Sequence, residues 1–267
     1  MPSTAADARS TYGNDPNQFG DLRLPAGPGP HPVVVLIHGG CFRAQYASLR
    51  DLAPMGDALK AEGIATWNIE YRRLGQQGAG WPGTYQDVGA AIDHLRTIAR
   101  RFDLDLSRVV IVGHSAGGHL AMWSAARGKL PAESAIAAAR PLNPIGVIDL
   151  AGPLDLRENI ENYHAECGAP VITQMLGGTP AEHPDRYREA SAAGQLPLGV
   201  PQVLIWGEHE NFMPRTLAHA YVARAIGAGD KARLVVAPHA GHFEIASPTT
   251  SAWRLVKAEI RRLIDRR

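Results

Sequence analysis

The sequence predicts an α/β fold in which a mostly parallel central sheet carries helices on both faces. Three observations support this. Short aliphatic runs such as VVVLI (33–37) and VVIV (109–112) show no polar alternation, as expected of strands covered on both faces. Stretches with apolar residues at helical spacing separate those runs. The 267 residues are 45% hydrophobic and 20% charged, which is enough apolar material for a sizeable core.

Taken in order, the elements are as follows. Residues 1–20 are polar, lack the apolar centre of a signal peptide, and read as a flexible N-terminal arm. A single domain is expected over 21–267. LRLPAGPGP gives a short strand and a Pro/Gly turn. PVVVLIH (32–38) is a buried strand, and Leu52, Met55 and Leu59 mark a helix closed by Gly63. IATWNIEY (64–71) is the next strand, followed by the glycine-rich loop 75–83. Thr84 and Asp87 suggest a capping box for a helix presenting Val88, Ile92, Leu95 and Ile98 on one face. VVIV (109–112), IGVIDL (145–150), QVLIWG (202–207) and RLVVAP (233–238) are further strands, with helices expected at 214–226 and from 251 onward. Strands alternating with helices imply parallel pairing. Residues 152–198 break the alternation, being polar, irregular and proline-containing; the expectation is a small helical cap over the C-terminal ends of the strands.

Bulk properties narrow the function. Lys plus Arg number 27 against 26 Asp plus Glu, a net charge of +1, so no basic excess would attract nucleic acid or an anionic membrane. The basic RRLIDRR stretch suits the C-terminal end of a helix. No run of about 18 apolar residues suggests a membrane span. Cys41 and Cys167 do not make a disulfide framework; they are far apart in sequence and could meet, but a reduced, cytoplasmic chain is the simpler reading. No cofactor is called for. No metal site is expected either: the cysteines are isolated, and His239 and His242 suit a catalytic loop better than a closed metal site.

The chemistry concentrates at RVVIVGHSAGGHLAMW (108–123), where Ser115 stands between Gly113 and Gly117 at the junction of a strand and a helix. A serine hydroxyl needs a base, a group to orient that base, and donors for the developing oxyanion. A Gly-x-Ser-x-Gly turn holds the serine out at the top of the sheet, and its glycines leave room for a forced backbone shape. Three other strand ends offer the remaining parts. HGGC (38–41) supplies amides from Gly40 and Cys41, to which the Ala116 amide adds, as an oxyanion hole. His38, ahead of that turn, reads as a structural hydrogen-bonding residue. GEHENFMP (207–214) offers Glu208 and Glu210 as the acid, and PHAGHFE (238–244) offers His239 and His242 as the base.

With LIHGGCFRAQY, NIEYRR, GWPGTYQDV, RVVIVGHSAGGHLA, GEHENFMP and AGHFE in place, the chain resembles the α/β-hydrolase superfamily from about residue 21 onward. Within it the chain looks like the HGG-type carboxylesterases and the related arylformamidases (kynurenine formamidases) and prolyl-oligopeptidase-like esterases. The resemblance implies Ser115 as nucleophile and His242 as base. In the Gly-Asp-x-Asp-x-x-Val-Pro pattern of these enzymes the second acid is catalytic, which selects Glu210. Two departures stand out. Glutamate replaces the usual aspartate, and Phe42 occupies the place where tryptophan commonly follows the oxyanion glycines. Phe42 and Trp81 are the expected lining of an apolar substrate pocket.

The expected activity is therefore hydrolysis of small or aromatic carboxylic esters through an acyl-enzyme, with an ester and water as partners. The alternatives are an arylformamidase acting on N-formyl aryl amides, or a weakly catalytic small-molecule-binding protein on the same fold. The sequence leaves homo-oligomerisation open.

Overall fold

The computed structural model describes residues 3–266. The aliphatic runs become strands β1 (Ala8–Thr11), β2 (Phe19–Arg23), β3 (His31–Ile37), β4 (Ala65–Ile69), β5 (Leu104–His114), β6 (Gly146–Leu150), β7 (Gln202–Gly207) and β8 (Ala232–Ala237). They form one sheet in the order β1-β2-β4-β3-β5-β6-β7-β8. The first two pairings, β1 with β2 and β2 with β4, are antiparallel, and every later one is parallel. Val33–Ile37 and Val109–Val112 are fully buried, as runs without polar alternation require.

The helices are α1 (Ala53–Ala61), α2 (Gly83–Asp93), α3 (Leu95–Phe102), α4 (Ala116–Ala126), α5 (Ile160–Cys167), α6 (Val171–Leu176), α7 (Pro184–Ala190), α8 (Arg215–Gly227) and α9 (Trp253–Ile264). Helix α4 has almost no polar face. Its residues from Ala116 to Ser124 are all buried, which places it inside the molecule against β5 and β6. The basic end of α9 is paired as well as solvated, with Arg261 on Glu62 and Arg262 on Glu259.

Three local expectations need correction. The N-terminal arm is not loose over its described part: Ala8–Thr11 pairs with β2, Arg9 forms a bidentate ion pair with Asp21, and Thr4 hydrogen-bonds Asp57. A polar segment can hold an edge strand because its outward face needs no apolar side chains. Thr84 and Asp87 do not form a capping box. Helix α2 starts one residue earlier, Thr84 Oγ1 donates to the Arg72 carbonyl, and Asp87 accepts both arms of the Arg72 guanidinium. The face Val88–Ile92–Leu95–Ile98 is buried as expected, but it is shared by two helices that meet at His94.

Between β6 and β7 the irregular segment carries α5, α6 and α7. Its first helix reaches the C-terminal edge of the sheet, where the loops after β3, β5, β7 and β8 also gather.

Candidate active site

Strand β5 ends in a backbone shape that few residues adopt. Ser115 has φ 54° and ψ −121°, fixed by its amide donating to the Leu150 carbonyl (2.8 Å) and its carbonyl accepting from His119 (3.1 Å). Such a conformation costs about 1–3 kcal/mol. The flanking glycines are there for space. A Cβ on Gly113 would collide with the Gly117 carbonyl, and one on Gly117 with the carbonyls of Ile37 and His38.

The turn after β3 is held from beneath by the NIEYRR segment. His38 is fully buried and both its ring nitrogens are engaged, Nε2 with Glu70 (2.9 Å) and Nδ1 with the Gly39 carbonyl (2.9 Å), so it is not free to act as a base. Tyr71 donates to the His38 carbonyl (2.7 Å), and Arg73 pairs with Glu70 (2.8 Å) while donating to the Ala47 carbonyl. Burial works against ionisation of Glu70, but the contacts from His38 and Arg73 outweigh it and hold its carboxyl below the usual range. Gly40 and Cys41 both have positive φ (100° and 54°), so the chain turns sharply there. Among the described residues, the amides of Gly40, Cys41 and Ala116 donate to no protein acceptor.

Glu210 and His242, the expected acid and base, lie within hydrogen-bonding reach of each other. His242 Nδ1 lies 2.9 Å from Glu210 Oε2 and 3.0 Å from Oε1. Since a carboxylate only accepts, Nδ1 carries a proton, and in the neutral ring Nε2 then holds the lone pair. Glu210 Oε1 also accepts from the amides of Phe212 (2.7 Å) and Met213 (3.0 Å). The longer side chain of glutamate thus folds back onto its own loop and still reaches the imidazole. Glu208 and His239 lie elsewhere: both are exposed, and Glu208 accepts from the His239 amide. The phenyl ring of Phe212 stacks on His242 at 4.4 Å and fixes the plane of the imidazole.

Ser115 and His242 line the same cavity of about 600 Å³, together with Gly40 and Cys41. Among the described residues no hydrogen bond joins the Ser115 hydroxyl to His242; its partner is the Tyr163 hydroxyl, 3.4 Å away on α5.

Neither expected pocket residue lines that cavity. Phe42 is fully buried and packs edge-on to His119 and against Tyr163, because its positive φ (56°) turns the side chain inward beneath the turn. Trp81 packs on Tyr85 and Arg186 on the other side of α5–α6, its amide bonded to the Met175 carbonyl. Phe212, Phe243, Leu52 and Pro54 supply the apolar walls instead.

The expectation of reduced cysteines is also corrected. Cys41 and Cys167 form a disulfide, with Cα atoms 5.6 Å apart. It joins the turn after β3 to the end of α5. The long intervening sequence hid this, since the fold returns residue 167 to the same edge of the sheet.

Sequence reasoning missed Tyr163, His114 and Asp149. Tyr163 sits in a segment whose polar pattern identified it as an insertion without singling out any side chain. His114, next to Ser115, donates from Nε2 to the His242 carbonyl (2.9 Å), and its ring stands 4.8 Å from the His242 ring. Burial, with the nearby His242 adding to it, pushes His114 down to about 3. Asp149 is fully buried at the end of β6. One carboxylate oxygen accepts from the Gly152 amide (2.8 Å), the other has no partner among the described residues, and burial raises its carboxyl well above the usual range.

The fold and the loops at this edge define an α/β-hydrolase. The BD-FAE family model matches residues 21–222, and the chain belongs to the BD-FAE family. It is 26% identical over 266 residues to Esterase LipC of Mycobacterium tuberculosis, and spans 65% of that protein's length. Among solved structures, a truncated carbohydrate esterase from gut microbiota matches with TM-score 0.78 and 22% identity, covering 98% of both chains. A thermophilic esterase from the planctomycete Thermogutta terrifontis, with butyrate bound, matches with TM-score 0.76 and 19% identity over 97% of this chain and 94% of its own.

Proposed function

We propose that the protein is a serine esterase acting on carboxylic esters through an acyl-enzyme. The observation that carries the reading is the His242–Glu210 pair, which leaves imidazole Nε2 as a base on the same cavity as a serine in a strained turn. In the first step Nε2 takes the Ser115 proton as Oγ bonds to the substrate carbonyl carbon. Glu210 stabilises the imidazolium, and the amides of Gly40, Cys41 and Ala116 receive the oxyanion. Collapse expels the alcohol, which leaves with the proton from His242. Water, deprotonated by His242, then attacks the acyl carbonyl, and Ser115 recovers its proton as the acid departs. The Ser115–Tyr163 contact is weak enough to be exchanged for one to His242 when substrate enters, since such bonds are often loose before substrate binds.

The names of the relatives support the reaction class. The segment 152–198 would serve as a cap, with α5 as its working part. The disulfide argues for an oxidising compartment rather than the cytoplasm. The deciding experiment is fluorophosphonate labelling followed by peptide mapping, alongside para-nitrophenyl acetate hydrolysis. Label on Ser115 and loss of both signals in Ser115→Ala are expected. An unlabelled Ser115 would favour a binding protein on the same fold. Faster turnover of N-formylkynurenine than of any ester would make the protein an arylformamidase.

A further inference from the structure

The cavity beside Ser115 has a charge and ring composition that the reaction itself does not need. Two of its residues, Asp51 and Glu166, bring carboxylates, and among the described residues none of those lining it is a lysine or arginine. Glu166 is exposed on α5, one residue before the disulfide, with no hydrogen bond or ion pair among the described residues. Asp51 accepts from the Ser48 amide and, among the described residues, forms no ion pair. Three aromatic rings share the cavity: Phe212 beside His242, and Tyr46 and Phe243, which are 58% and 62% exposed. Their exposure leaves ring surface open to whatever enters the cavity.

Rings and carboxylates without a neutralising cation make an environment suited to a positive charge. The faces of the rings attract a cation through their quadrupoles, and a weakly hydrated ammonium gives up little water to reach them. The other histidine on the cavity, His114, is held neutral by burial and adds no opposing charge. We infer that the cavity selects esters carrying a quaternary ammonium in the alcohol or acyl portion over neutral and anionic esters of the same shape. The inference rests on the serine-esterase reading and specifies the substrate class for that site.

Shape-matched pairs test it. Acetylcholine and neohexyl acetate differ in one atom, nitrogen for carbon, and in charge. Para-nitrophenyl esters of trimethylammonio-butyrate and its tert-butyl isostere make the same comparison on the acyl side. The cationic member of at least one pair is expected to have kcat/KM about tenfold higher, and the advantage should shrink in high salt. Glu166→Gln should reduce that ratio, read within each shape-matched pair so that any general effect on turnover cancels, and Glu166→Lys should invert it. Binding of choline against neohexanol to Ser115→Ala protein, followed by NMR titration, reads the same preference without turnover. Cation and isostere performing equally in both ester series and in binding would overturn the inference. Absence of hydrolysis with choline still favoured would instead leave the cation site standing and sink the esterase reading.

Discussion

Cys41 and Cys167, separated by 126 residues, are covalently joined, so the turn that offers its amides to the cavity and the helix that carries Tyr163 move as one unit. Chain-entropy arguments assign a loop of this length roughly 4–5 kcal/mol of stabilisation. The Cys41→Ser/Cys167→Ser variant should unfold at lower urea by an amount of that order. Its kcat should fall more than its KM rises, because the Cys41 amide loses its fixed direction. Urea titration and steady-state kinetics check both, and an unchanged midpoint would show that the turn is held mainly by Glu70 and Arg73.

Glu210 is tied to His242 by both oxygens and to two amides by one of them. Glu210→Gln keeps an acceptor for the loop but removes the charge that stabilises the imidazolium. The expected loss in kcat is about 10³- to 10⁴-fold with the fold intact, as when the acid of such a triad is replaced by its amide. Glu210→Asp is a sharper test of the loop geometry. The shorter side chain cannot serve both Phe212 and His242 from the same place, so it should restore only part of the rate. Full activity in either variant would remove Glu210 from the mechanism.

Stability should depend on pH through two buried neutral histidines. Burial lowers His114 to about 3 and His119 to about 4, against an ordinary value near 6.5. A histidine depressed in the folded state contributes stability that is complete above the unfolded value. That stability is lost as pH falls, because the unfolded chain takes up the proton first. Between about pH 6.5 and 4 each ring then removes up to about 1.4 kcal/mol per pH unit. Urea midpoints at pH 7, 5.5 and 4.5 should fall in that order, and His119→Gln should flatten the decline. Asp149 has the opposite sign. Its raised carboxyl disfavours the fold as pH rises above the unfolded value near 3.8, so Asp149→Asn should gain most at alkaline pH.

Phe42 lies under the turn after β3 and does not line the cavity. Truncation to Ala should cost about 3–5 kcal/mol of stability, the usual range for a buried phenylalanine. It should lower rates on short and long acyl chains alike. A selective gain for long acyl chains, measured over a para-nitrophenyl ester series, would mean that the side chain does reach the substrate.

Much of this architecture was legible in the sequence because it depends on local rules. Unbroken aliphatic runs specify covered strands, and Gly113–Ser115–Gly117 at a strand end specifies a tight turn. The order of Ser115, Glu210 and His242, each just after a strand, placed all three at one edge. What could not be read depends on chain segments meeting in space. The partnership of Cys41 with Cys167, the approach of Tyr163 to Ser115, and the inward turn of Phe42 leave no periodicity in the sequence. Trp81 was misplaced for the same reason: a tryptophan in a glycine-rich loop looks available for a ligand, and only the packing against Tyr85 and Arg186 shows where the ring is used.

The strained dihedral at Ser115 sets durability against turnover at a single position. Glycine there would relax the backbone, offsetting in part the greater freedom glycine gains in the unfolded chain, and would leave an inert protein. Under the serine-esterase reading, selection for robustness alone would erode this position first, and only use of the hydroxyl would offset the strain.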